Sequence, residues 1–431
     1  MKFKIFLLIL FNTFLYSEEL HYKKYIEILL SKNLEIKIQQ KNQEKVEQFI
    51  KKKESIFYEP FKLEMSYSSG KVDIPYNVLK NEYPAQQILK QYTIGLSKII
   101  DVLNQQKTEK TIFVVQKEME NEYLNLIKMQ NILEFRNAYF HLIFLNIIHE
   151  HLEEHIVRFN LLKKQFLGNY FDKKLGYYTI PALELGINTL STELQENNTL
   201  MNEKITLIKN LLFLSEDTSL DFDSIEQIED LLPSDLTIDN FNYENSPLLK
   251  IELLKLKLIE ENIELYKKLP FSNIEMFFNY SEKNQGKYSS FSFSTQNPQK
   301  ENLWTFGIKI PLPYGSEKTY DVSIQQYEYQ LQQLRIEKIR GELKNQIQMV
   351  FKDYLNHFNQ YKSNRKLLKK HEPYLKMLEE SLIKRRITYF EFWGEHEKFH
   401  NLLNMTSHSF QKAVESLSLL ELYLGQKIIK D

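Results

Sequence analysis

Four histidines, His141, His149, His151 and His155, fall on one predicted helix. His151 and His155 stand one helical turn apart, and Glu154 completes a His-x-x-Glu-His pattern. Paired imidazoles on one helix side suit a metal ion. A zinc centre needs a third protein ligand and a cleft, and the surrounding sequence offers neither. The expectation is therefore solvated or groove-facing histidines and no metal site. A second pattern, Thr388-Tyr389-Phe390-Glu391, sets a hydroxyl three residues before a carboxylate. Glu391 reads either as an acid facing an aqueous passage or as an ordinary surface charge on a helix. The chain holds 57 Asp and Glu, but no spacing gathers a carboxylate pair into a pocket. No enzyme and no cofactor are expected. Cysteine is absent, which removes thiolate metal sites and cysteine nucleophiles. Lys and Arg total 56, for a formal net charge of −1, so no basic stripe exists to hold nucleic acid. Lys51-Lys52-Lys53 and Lys369-Lys370 read as solvated helix faces.

The elements that position these residues follow from composition and period. Gly and Pro number 11 each in 431 residues, about half the usual share. Few breakers among many Lys, Glu, Gln, Leu and Ile describe long helices with wet surfaces. Lys2 and Lys4 precede an apolar run from Ile5 to Tyr16, followed by Ser17. That run is too short to span a bilayer, which takes about 20 residues, and residues 1–17 read as a secretory signal peptide.

The remainder repeats itself. Pro60-Phe61 and Pro270-Phe271 each open an alternating run, 210 residues apart. Tyr92-Thr93-Ile94-Gly95-Leu96 matches Trp304-Thr305-Phe306-Gly307-Ile308, and Leu214-Ser215 matches Leu424-Gly425, at nearly the same offset. The expected organisation is a first repeat over 18–215, a linker over 216–245, a second repeat over 246–425 and a tail over 426–431. Each repeat reads as a helix, two short strands, a very long helix, a turn and a helix of about 35 residues. The first helix is expected over roughly 35 residues, from Tyr22 to Tyr58.

Along the four strand-like runs, apolar residues alternate with polar ones. Phe61, Leu63, Met65 and Tyr67 share one face; so do Tyr92, Ile94 and Leu96; Ile274, Met276, Phe278 and Tyr280; and Trp304, Phe306, Ile308 and Ile310. Each run spans about 8 to 10 residues, enough for a tilted strand to cross a bilayer. Alternation alone leaves open a small sheet over a soluble core. After Gly315, apolar residues from Ile324 to Tyr361 recur with a helical step. A helix from Ser316 to Ile383 would reach about 100 Å, with Pro373 expected to kink or locally break it. Four strands with apolar outer faces cannot close a pore, and an open edge is not tolerated in lipid. Strands that enter a membrane must therefore be completed by other copies.

This arrangement resembles the TolC-like outer-membrane efflux proteins over nearly the whole chain. The resemblance is carried by Trp304-Thr305-Phe306-Gly307-Ile308-Lys309-Ile310-Pro311-Leu312, which looks like the family's strand leading into the long helix. It is carried also by the hairpin-tip pattern from Ile387 to Trp393, by Leu422-Tyr423-Leu424-Gly425, and by Asn33-Leu34-Glu35, which resembles an opening Asn-Pro-Glu. It implies a mainly α fold with β: tandem helical hairpins forming an α-barrel, and four strands per protomer in a homotrimeric 12-stranded β-barrel. It further implies an outer-membrane duct with a periplasmic helical tunnel. A periplasmic adaptor and an inner-membrane RND or ABC transporter would be its partners. Cargo would be small molecules or exported protein. Tyr67, Tyr92, Phe278, Tyr280 and Trp304 would form membrane girdles. Gly176 and Thr179 would lie at the first hairpin tip.

Several residues depart from the family pattern. Arg385 stands three residues before Thr388, where the family usually has Gly. Of two acids that ring the entrance in relatives, Glu391 remains, but Gly394 takes the second position. The family's latch residues fall on Leu382 and Ile387. Lys384, Arg385 and Arg386 add positive charge. The expectation is a differently latched entrance with a weaker preference for cations. A soluble secreted coiled-coil protein without pore activity is the alternative.

Overall fold

A computed structural model describes residues 21–55, 61–74, 85–101, 103–168, 179–233, 236–237, 241–268, 274–289, 299–310, 317–384 and 386–429. The expected signal peptide, Gly176 and Arg385 lie outside them. The element order is α1 (His21–Lys32), α2 (Leu34–Glu54), β1 (Lys62–Ile74), β2 (Ala85–Ile100), α3 (Gln105–Gly168) and α4 (Thr179–Leu212). There follow α5 (Ile225–Glu229), α6 (Pro247–Lys268), β3 (Ile274–Ser289), β4 (Gln299–Lys309), α7 (Glu317–Ile383) and α8 (Tyr389–Leu424). Helix, two strands, a long helix and a shorter helix thus occur in the same order in each half.

The chain forms two compact units. The first comprises Met1–Lys41, Glu120–Ile251 and Ile336–Asp431. Its core is aromatic: Tyr22, Phe135, Tyr139, Phe140, Tyr354, Tyr361 and Phe410 are each no more than 1% exposed. Burying each such ring contributes roughly 1.5–3 kcal/mol. The later part of the α7 stripe, Ile347, Val350, Tyr354, Phe358 and Tyr361, packs into this core. Between the halves, Asp223 ties the start of α1 to α3. Its carboxylate accepts from the amides of His21 (2.9 Å) and Tyr22 (2.8 Å) and from the Tyr139 hydroxyl (2.9 Å).

One buried ion pair bridges the halves. The Arg136 guanidinium donates to Glu421 at 2.6 Å, to Ser418 at 3.0 Å and to Tyr22 at 2.8 Å. The other Glu421 oxygen accepts from the amides of Ile428 and Ile429.

The second unit comprises Asn42–Met119 and Glu252–Arg335. It holds one antiparallel sheet in the order β1-β2-β3-β4. Its helices meet through polar contacts such as Lys117–Glu47 at 2.6 Å and through Phe49 stacked on Phe113. Exposed pairs of this kind contribute about 0–1 kcal/mol each. The early part of the α7 stripe turns outward: Tyr320, Ile324, Tyr327, Leu331 and Leu334 are 53–68% exposed.

Three expectations are corrected. The first helix is not continuous; it breaks at Asn33, whose side chain caps α2 by accepting from the amides of Glu35 (2.9 Å) and Ile36 (3.2 Å). The same side chain donates to Asn131 at 2.8 Å, and Asn131 donates to Glu35 at 3.1 Å. The break that Pro373 could have imposed is absent, and α7 continues through it to Ile383. A proline removes one backbone donor and costs about 3 kcal/mol, which a helix this long absorbs without ending. The strands also outrun the alternating runs, with 13, 16, 16 and 11 residues. Backbone pairing continues into polar sequence that carries no period-two signal.

Candidate functional site

The alternating residues come into register across all four strands. Leu63 pairs with Leu96, Leu96 with Phe278, and Phe278 with Phe306. One row further, Met65, Ile94, Tyr280 and Trp304 align, and beyond them Tyr67 pairs with Tyr92. In the opposite direction Met276 pairs with Ile308, and then Ile100 with Ile274. Lys98 interrupts the Met276 row, its ammonium lying 4.7 Å from the Phe61 ring. Five rows spaced by two residues cover about 27 Å along the strands, or about 21 Å once tilted by ~40°.

This face is uncovered in the chain: Leu63 is 61% exposed, Met65 70%, Trp304 63% and Phe306 66%. Aromatic rings gather toward one end of the band. Tyr67 and Tyr92 lie 4.8 Å apart, Tyr280 and Trp304 4.6 Å, and Phe278 and Trp304 5.4 Å.

The opposite face is polar and tightly laid. Thr93 and Ser281 hydroxyls pair at 3.0 Å, and Ser97 and Ser281 are buried. The Phe277 ring lies on Gly307, where a Cβ would collide with it. Lys309 stands over the same ring at 5.0 Å. β1 and β4 each have one strand neighbour among the described residues, so the sheet ends in two unpaired ladders.

The Thr388-x-x-Glu391 motif opens α8. Thr388 is the N-cap of α8. The Glu391 amide donates to the Thr388 hydroxyl at 3.2 Å, and the Glu391 carboxylate accepts from the Thr388 amide at 2.7 Å and hydroxyl at 2.9 Å. This capping box satisfies two backbone donors at the helix start. The bonds from Thr388 hold the Glu391 carboxyl below its usual range. The acid is exposed, yet it is folded back on its own helix rather than extended into solvent.

Leu382 and Ile387, the positions of the family latch, are packing residues here: Leu382 is buried, and Ile387 packs with Tyr389 and Phe392 in the same cluster. Lys384 pairs with Glu380 at 3.2 Å, and Arg386 is exposed. Gly394 faces open space. At the first tip, Thr179 begins α4.

The histidines are the larger surprise. His155 and His396 are buried, with His155 Nδ1 and His396 Nε2 2.8 Å apart. Burial pushes the His151 and His396 imidazoles down to about 4 and about 3. His151 and His155 are thus groove-facing rather than solvated, and α8 lays His396, Phe399 and His400 over them.

Comparison of the whole structure decides the fold. OprN, an outer-membrane channel, superposes with a TM-score of 0.71 at 9% identity, covering 94% of this chain and 90% of that one. The chain has the fold of the TolC-like outer-membrane channels. The Campylobacter jejuni CmeC outer membrane channel gives 0.68 at 10% identity, with 94% and 85% covered. The outer membrane protein VceC of Vibrio cholerae gives 0.70 at 11%, with 94% and 96% covered. No protein-family model and no curated protein matches the sequence. On this TolC-like fold no described helix is long and apolar enough to cross a membrane.

Proposed function

We propose that the chain is one protomer of an outer-membrane exit duct, completed by two further copies. The observation that carries this reading is the exposed apolar band running in register across four strands whose outer ladders lack partners. In water such a face is an aggregation hazard, and in lipid an open edge costs several kcal/mol per unpaired group. Twelve strands from three copies resolve both: the band meets lipid, and each β1 pairs with a neighbour's β4. A band of about 21 Å approaches the ~25 Å apolar belt of outer-membrane barrels, with Tyr67, Tyr92, Tyr280 and Trp304 at one girdle. The outward stripe from Tyr320 to Leu334 gives a second surface for the same neighbours.

The duct conducts passively from a periplasmic adaptor and an inner-membrane RND or ABC transporter, whose identity selects small-molecule or protein cargo. The second hairpin tip forms its periplasmic entrance. There the capping role of Glu391, the absence of an acid at Gly394 and the charges of Lys384 and Arg386 support a weak preference for cations.

The test is heat-sensitive gel migration together with planar-bilayer conductance of detergent-extracted protein. A heat-dissociable trimer that opens discrete pores is expected. A detergent-independent monomer without conductance would overturn the reading.

A further inference from the structure

Taken alone, the His-x-x-Glu-His stretch lacks a third ligand and a cleft, and the fold supplies both. His151 and His155 lie on one side of α3 with ring centroids 4.1 Å apart, and His396 reaches them from α8, 4.4 Å from His155. One ring nitrogen from each lies within 4.8 Å of the other two. A tetrahedral ion with bonds of about 2.0–2.1 Å holds its nitrogens ~3.3 Å apart. The His155–His396 nitrogens, now 2.8 Å apart, need only part slightly, while His151 moves in.

The His151 Nε2 atom is buried and has no hydrogen-bond partner in the described protein. A buried lone pair or N–H left in that state costs about 1–3 kcal/mol, which a bound ion removes if the nitrogen is a free base. His151 and His155 also line an open groove of about 310 Å³ shared with Phe144, Ile147 and Leu403, which gives an ion a route in.

The surroundings suit a cation with nitrogen ligands. Phe159, Trp393 and Phe399 wall the cluster at 5.2–5.5 Å from its rings. The nearby Arg158 charge is engaged by Glu154 and by Glu379. His400 stands behind His151, its Nε2 3.0 Å from Glu193, a carboxylate that can help balance the charge of a divalent ion.

We infer that His151, His155 and His396 form a three-imidazole site for a borderline first-row divalent cation such as Zn²⁺, its fourth position open to the groove. Three neutral nitrogens with no thiolate and no carboxylate in the set select Zn²⁺, Co²⁺, Ni²⁺ or Cu²⁺ over Mg²⁺ or Ca²⁺. The ion would fasten α3 of the first half to α8 of the second, acting as a structural staple. The inference stands independently of the duct reading.

The experiment uses full-length, tag-free protein in detergent, dialysed against chelator and then against buffered Zn²⁺. One Zn²⁺ per chain is expected by elemental analysis, with a rise in Tm. Co²⁺ substitution is expected to give the intense visible bands of a tetrahedral site. His151→Gln removes a ligand without cutting any side-chain hydrogen bond among the described residues and should weaken Zn²⁺ binding at least about ten-fold, the lower end of what even an outer-shell loss does. His408→Gln, on the exposed side of α8, should leave stoichiometry and Tm shift unchanged. Wild-type protein without stoichiometric Zn²⁺, a Co²⁺ spectrum lacking tetrahedral bands, or undiminished binding by His151→Gln would each overturn the inference. The Co²⁺ spectrum of the wild type decides the matter even if the variant fails to fold.

Discussion

Arginine placed on the strand face separates a lipid-facing band from a wet one. Leu63 lies in the middle row, 61% exposed, and Ser69 lies on the same face of the same strand six residues further along. Ser69 pairs with Lys90, and Lys90 with Asn284, so that row is already polar. Six residues at ~3.4 Å place the two positions about 20 Å apart along the strand. If the band sits in lipid, Leu63→Arg meets the bilayer midplane and costs about 2–4 kcal/mol per chain, against about 0–1 for Ser69→Arg near the interface. At 1.4 kcal/mol per decade the first loss is roughly thirty- to seven-hundred-fold in the folding equilibrium. Urea unfolding from lipid vesicles would report it. Trp304 emission is the probe, in a Trp393→Phe background that leaves one tryptophan. If the sheet faced water instead, both substitutions would fall within about 0.5 kcal/mol of wild type. Equal costs at Leu63 and Ser69 would refute the argument.

Two further outcomes follow from packing. Glu421→Gln should cost about 3–5 kcal/mol in urea unfolding, because it leaves the fully buried Arg136 guanidinium without a carboxylate. An Arg136→Met, Glu421→Leu double variant should lose markedly less than the two single changes added, which a double-mutant cycle measures. Gly394→Ala should raise stability by about 1 kcal/mol, since its methyl meets open space on a helix. Gly186→Ala, where the methyl would collide with the Tyr389 hydroxyl, should lower it by about 1–3 kcal/mol in the same thermal scan.

The sheet was readable because each strand has one apolar face, so period two appears in every run from Phe61 to Ile310. Where the ladder continues through Ser68-Ser69-Gly70-Lys71, both faces are polar and the strand is silent in sequence. The break at Asn33 carried a local mark, an Asn cap followed by Leu-Glu, but the helical period runs across it. Thr388-x-x-Glu391 is a capping-box signature, and the structure forms that box. The histidine cluster lay beyond local reading. His396 is 241 residues from His155, and only the packing of α8 on α3 makes them neighbours.

The link from Arg136 to Glu421 makes each half of the chain incomplete by itself. A lone first half would bury a cation that it cannot neutralise, and a lone second half would hold its acid against nothing but its own tail. At this position the two halves are each other's counter-ion, and neither could be made alone without leaving a charge to be rehydrated.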